Sequence, residues 1–292
     1  MSILIALALQ AAAHQSAAGA PAARSPAEIV AAAPAGDWRD IDPADLIVLT
    51  LASGKVVTIQ LAPGWAPVHV ANIEALAAAH FWDGTSINRV QDNYVVQWGD
   101  AEGAKALPAT LVAKPPAEYS RPLAGIGFRP LGYPDAYAKQ TGHAGGWPVA
   151  TDGKQAWLPH CYAMVGVGRD LAPDTGNGGE LYAVIGHGPR HLERNIAAVG
   201  RVIDGIEALS ALPRGTAQLG FYDKPEQRVA IAAARRGADG LAIPRWQYLA
   251  TDSASFAAYA EARANRRDAF FNVPAGGADI CNVPVPVRRK PA

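Results

Sequence analysis

Proline and glycine interrupt this chain along its whole length, 23 of the first and 29 of the second, and that punctuation is what most limits the folds open to it. Proline breaks helices and central strands, and glycine supplies backbone conformations that other residues avoid. Such a chain suits many turns and short strands better than a helical bundle, so an all-β or α+β fold is expected. Half of the 292 residues are apolar, enough to bury a core in one large or two modest domains. Lys plus Arg and Asp plus Glu balance at 26 each. There is then no electrostatic case for a nucleic acid or an anionic membrane surface as partner, and a substrate has to be recognised locally.

The N-terminus carries ILIALALQAAA from residue 3, an apolar run as long as a signal-peptide core, followed by small residues in the style of a cleavage site. It is too short to span a bilayer, and no Lys or Arg precedes it. The expectation is a cleaved signal peptide over 1–18 and a periplasmic or secreted product with no membrane insertion of the mature protein. An alanine-rich tail is the alternative. Cys161 and Cys281 lie far apart in the chain. In an oxidising compartment they can pair and close a long loop, while Cys161 in HCYAMVGVG can equally be an ordinary buried thiol.

Local pattern divides the rest. In the lead-in, 19–45, Ser25 and Pro26 sit as N-cap and first residue of a short helix. From Leu46, LIVLTL and VVTIQLA are alternating β-branched runs around a Ser-Gly turn, a hairpin signal. APVHVANIEALAAAHF then places Val70, Ile73, Leu76 and Ala77 on one helical face behind Pro67. Residues 101–157, with KPP, FRPLGYPD and GHAGGWP, read as a long loop with few regular elements. Strand patterns return in CYAMVGVG, ELYAVIG, IAAVGRVID and QRVAIAAARR. Beyond Gly237 an extension, 237–292, has helical spacing in DSASFAAYAEARANRRDAFF, and its Phe256, Tyr259, Phe270 and Phe271 are expected to pack against the rest of the protein.

Several tempting motifs fall short. HGPRH and GHAGGW lack a third ligand at metal-site spacing, and GNGGE lacks the Lys-Ser/Thr of a phosphate loop. There is no G-x-S-x-G elbow and no recognisable Cys-His signature, so covalent catalysis has no support. No metal and no cofactor is expected.

Three stretches carry a family resemblance. HFWDGTSINRVQDNYVVQWGD (80–100), NGGELYAVIG (177–186) and LERNIAAVGRVIDGIEAL (192–209) resemble, in order, motifs of the cyclophilin peptidyl-prolyl isomerases, and the likeness spans 46–236. It implies a mainly β fold, a closed eight-stranded antiparallel barrel capped by two helices, here with a long loop insertion and a helical C-terminal extension. It also implies a proline site on the barrel's outer face. Position by position, Arg89 falls on the family's catalytic arginine. Tyr94, Val95 and Leu192 fall on walls of the proline pocket, Tyr182 on its aromatic floor and Gln97 on the glutamine beside them. There are departures. Asn88 replaces a histidine, Glu180 a substrate-contacting glutamine and His191 a tryptophan of some members, and Ile196 stands where many have histidine. A carboxylate at Glu180 is expected to pair with Arg89 and compete with substrate.

The implied activity is cis-trans isomerisation of X-Pro bonds in proline-containing polypeptides, assisting the folding of exported proteins. The chemistry needs no nucleophile, because the barrier of about 18–20 kcal/mol comes from amide resonance. A donor aimed at the prolyl nitrogen weakens that resonance mainly in the twisted state. The alternative is a cyclophilin-like module that binds proline segments with weak or no turnover.

Overall fold

The computed structural model describes residues 23–291, so the expected signal segment, 1–18, lies outside the described residues. Eight antiparallel strands close into a barrel: β1 (Leu46–Leu51), β2 (Val56–Leu61), β3 (Ser86–Val90), β4 (Val95–Gly99), β5 (Met164–Val167), β6 (Leu181–Val184), β7 (Ala198–Asp204) and β8 (Val229–Arg236). They run in the order β5–β6–β4–β3–β8–β1–β2–β7, and β7 pairs back onto β5, which leaves the barrel no open edge.

Period-two alternation decides which side chains enter the barrel. Val96 and Trp98 of β4 and Leu181 and Ala183 of β6 join the interior cluster. Val95, Tyr182 and Val184, offset by one, join a second cluster on the outer face. The helix expected from the spacing behind Pro67 forms over Pro67–Ala78, and Val70, Ile73, Leu76 and Ala77 bury in the interior cluster as that spacing requires. We label it α2, after the short α1 (Pro26–Ala31), which Ser25 caps in a reciprocal box with Glu28. A brief α3 (Ile206–Ser210) adds Ala208 and Leu209 to the same interior.

The insertion is more ordered than its composition suggests. Residues 101–120 hold no regular element, but Arg121–Pro122, Arg129–Pro130, Gln140–Ala144, Trp147–Thr151 and Gln155–Trp157 form a five-stranded sheet. Its hairpin turns through Gly145 and Gly146, both at positive φ (55° and 83°), the conformation that a two-residue turn demands and glycine accepts. GHAGGWP was therefore a hairpin signal rather than a loop. Trp147, Leu158 and Cys161 cover the outer face of β5–β6 and β7, packing with Met164, Val184 and Ala198.

The lead-in and the extension meet. Trp38–Asp40, Trp246–Leu249 and Val287–Arg289 make a three-stranded sheet. Against it α1 packs on α4 (Ala254–Ala264), through Ile29, Phe256 and Tyr259. The aromatic expectation holds for Phe256 and Tyr259, 4% and 6% exposed, but not for Phe270, 83% exposed. The helix ends at Asn265, before that pair is reached. Phe271 instead lies under the Arg266 guanidinium, 4.3 Å away. Cys161 and Cys281 form a disulfide with Cα atoms 5.0 Å apart, tying the extension to the barrel's outer layer.

Candidate active site

Strand register assembles the site. Arg89 lies opposite Gln97, Gln97 opposite Tyr182, and Tyr182 opposite Gly166, so one row crosses β3, β4, β6 and β5. A bulge between Ile87 and Arg89 breaks the strict alternation, so Ile87 and Val90, three residues apart, both enter the interior cluster. Ile87 and Asn88 are both buried, and Arg89 emerges outward in line with Gln97. Bulges of this kind re-aim a side chain next to functional sites. Gly166 makes the floor possible, since a methyl there would overlap the Tyr182 ring and hydroxyl. Tyr182 thus lies across the sheet, 4% exposed.

Arg89, Tyr94, Val95, Gln97, Tyr182, His191 and Leu192 line one cavity of about 640 Å³. Glu180 alone of the expected residues is not on its wall. Val95 and Tyr182 form the apolar base, with Leu192 and Ile196 beside them. At the rim Tyr94 stacks on His191, ring centres 5.6 Å apart, with its hydroxyl 3.0 Å from His191 Nε2.

The guanidinium is held by oxygens that carry no full charge. Arg89 Nε donates to the Leu219 carbonyl at 2.7 Å, Nη1 to Gln97 Oε1 at 3.1 Å, and Nη2 to Gln91 Oε1. The Tyr94 and Phe221 rings flank it at 5.6 and 5.4 Å. Three of its five N–H groups are used, leaving two for a ligand. Half-burial without a carboxylate pulls its pKa below the ordinary value.

The expected Arg89–Glu180 pair does not form, because Gln97 stands between them. Gln97 Nε2 donates to Glu180 Oε2 at 3.2 Å while its Oε1 accepts from Arg89. An ionised carboxylate can only accept, so it fixes which way the amide points. Burial raises the Glu180 pKa, opposed by hydrogen bonds from Gln97 and Asn88. Glu180 supports Arg89 through Gln97 instead of neutralising it.

Gln91, Leu219 and Phe221 escaped sequence reasoning. Gln91 had a weak signal, two residues after Arg89 in the QDN interruption. Leu219 and Phe221 arrive from a loop 130 residues beyond Arg89, through a bridge pairing Arg89 with Phe221, and no local pattern announces that. Among the histidines of the discarded motifs, His143 is buried against Phe256 and bonds the Val283 carbonyl at 2.9 Å.

The fold is a closed antiparallel barrel with an apolar cup on its outside and, at the rim, a guanidinium without a carboxylate partner among the described residues. Residues 46–236 match the family model described as cyclophilin type peptidyl-prolyl cis-trans isomerase/CLD, and the chain belongs to that family. It is 24% identical over 187 residues to proteins of Brucella suis and Brucella abortus named probable peptidyl-prolyl cis-trans isomerase, covering 64% of this chain and 81% of each relative. In fold it is similar to the cyclophilin AquaCyp293 from Hirschia baltica, with a TM-score of 0.69 at 23% identity. That likeness covers 87% of this chain and 95% of the other, so it reaches beyond the family-matched residues into the flanking segments.

Proposed function

We propose that this cyclophilin-type isomerase accelerates X-Pro rotation with Arg89 as its catalytic residue and the cup of Tyr94, Val95, Tyr182 and Leu192 as its proline site. One observation carries the reading: a guanidinium with no carboxylate partner among the described residues, oriented by three oxygens at the edge of an apolar cavity that fits a pyrrolidine ring. An N–H aimed at the prolyl nitrogen favours a pyramidal nitrogen whose lone pair has left the amide resonance, a state reached only near the twisted transition state. Because its positioning bonds already exist, little reorganisation is needed when that state forms. Gln97 and Glu180 hold the guanidinium in place, and His191 fixes Tyr94 at the rim.

The substrates in this reading are proline-containing segments of exported polypeptides. Uncatalysed exchange takes roughly 10–100 s, slow enough to limit their folding. Export is supported by the apolar N-terminal run and by the Cys161–Cys281 bridge, a bond that persists in oxidising compartments. Residues 46–236 form the catalytic unit, and the lead-in and extension buttress its outer face.

The test is an exchange rate on a short Ala-Pro peptide, with wild type beside Arg89→Ala and Arg89→Lys. Loss of one preorganised donor predicts a fall in turnover on the order of 10²-fold for alanine. Lysine should rescue poorly, since an ammonium lacks the planar fork. A folded Arg89→Ala protein retaining more than about half of wild-type turnover would remove Arg89 from the mechanism; a wild type that binds the peptide without turning it over would leave a binding module.

A further inference from the structure

The floor of the cup is anchored from behind. The Tyr182 hydroxyl lies 2.8 Å from His160 Nε2, and the two rings stack with centres 6.1 Å apart and planes 22° from parallel. His160 is 1% exposed and does not line the cavity, so it cannot touch a bound proline. Its other nitrogen, Nδ1, is buried with no hydrogen-bond partner among the described residues. Nothing in the isomerase chemistry uses this histidine, and a buried imidazole with one idle nitrogen needs a reason.

We propose that His160 is a positioning residue for the proline cup, holding the Tyr182 ring at the depth and tilt at which a pyrrolidine ring packs against it. The inference rests on the reading of this cavity as the proline site. Apolar neighbours in the outer-face cluster pack the Tyr182 ring, but they offer its hydroxyl no directional contact. Gly166 beneath it leaves room for the ring, and the phenol tip, reaching over β5, finds in His160 its one side-chain hydrogen-bond partner among the described residues. Burial holds the imidazole pKa near 4, so the ring is neutral at ordinary pH and carries one N–H. In either tautomer, breaking the bond to Tyr182 strands a second buried polar atom in addition to Nδ1, so the native floor has one strongly preferred position.

His160 is itself immobilised. It follows Pro159, and its backbone N–H faces the Glu193 carboxylate at 3.4 Å. Glu193 is in turn fixed by Trp157 Nε1 at 2.7 Å and by the buried Arg190 guanidinium. The residue after it, Cys161, is covalently joined to Cys281. Floor position is thereby referred to the outer layer that the insertion and the extension build, which gives those segments a bearing on substrate fit.

A purely structural histidine would lower stability without changing how the folded protein binds proline, and the experiment separates the two. Wild type, His160→Leu, His160→Gln, Tyr182→Phe and the His160→Leu/Tyr182→Phe double variant are compared for KM and kcat on a short Ala-Pro peptide. Peptide Kd by NMR titration and thermal unfolding by circular dichroism accompany the rates. The expected result is a rise in KM and Kd on the order of tenfold for His160→Leu, with kcat within about twofold of wild type. Gln, whose amide can reach the same hydroxyl, should recover most of the loss. Tyr182→Phe should mimic His160→Leu, and the double variant should be no worse than either single change, as expected for two ends of one interaction. A folded His160→Leu protein with wild-type KM and Kd, or additive losses in the double variant, overturns the proposal. If His160→Leu does not fold, Tyr182→Phe with unchanged KM and Kd overturns it alone. A wild type that neither binds nor isomerises the peptide sinks the proline-site reading itself, whereas a binding-only wild type still decides the role of His160 through Kd.

Discussion

Replacing both Cys161 and Cys281 by alanine tests how the extension is attached. The bridge joins residues 120 apart. For a loop of that length the chain-entropy expression gives roughly 16 cal/mol/K, or about 5 kcal/mol at 25 °C, of denatured-state freedom that the cross-link removes. Real denatured chains retain structure and engineered changes rarely deliver the full figure, so a loss of about 3–5 kcal/mol is expected. With an unfolding entropy of about 2.1 cal/mol/K per residue, a protein of this size should lose about 5–9 °C in Tm. The assay is thermal and urea unfolding by circular dichroism, paired with limited proteolysis. Because the bridge pins Cys281 of the extension into the outer-face cluster around Cys161, its loss should let the segment after Gly237 open locally, so early cleavage is expected there. A variant with Tm within about 2 °C of wild type and an unchanged cleavage pattern would refute the reasoning, since the remaining contacts of α4 and the three-stranded sheet would then suffice.

Three further outcomes follow from charged groups. Glu180→Gln should lower turnover modestly, because a neutral amide no longer dictates the direction of Gln97, which holds Arg89; a rate above wild type would show that the carboxylate competes with substrate after all. The raised pKa of Glu180 means that the folded state favours its protonated form. That contribution to stability is full below the unfolded value and is lost as pH rises through the folded one. Against wild type, Glu180→Gln should therefore gain stability at neutral pH and little near pH 4, which paired urea titrations at the two pH values would check. Arg190, with no exposed side-chain surface, joins Asp135, Glu193 and Asp279. Arg190→Met should cost about 3–5 kcal/mol by stranding buried carboxylates, and urea midpoints matching wild type would show that those carboxylates find water or protons instead.

What the sequence determined is whatever depends on neighbours a few residues apart. The hairpin of β1 and β2 was legible because β-branched alternation and a Ser-Gly turn are local, and α2 because Val70, Ile73, Leu76 and Ala77 share a face at the helical period. Arg89, Gln97 and Tyr182 were legible through their motifs, and alternation then put Val95, Gln97 and Tyr182 on the side opposite Val96, Trp98 and Leu181. Tertiary structure decided what closure alone can bring together. The outer cover turned a Gly-rich stretch into a hairpin, because Gly145 and Gly146 could supply its turn while Trp147 found a surface to bury against. Choosing between a free thiol and a bridge at Cys161 required knowing where a residue 120 positions away would lie. The Leu219 carbonyl on Arg89, Gln97 interposed before Glu180, and His160 behind Tyr182 are contacts between segments with no shared period and no sequence proximity. A residue's type sets which bonds it can make; the register of eight strands around a closed barrel sets which of them it meets.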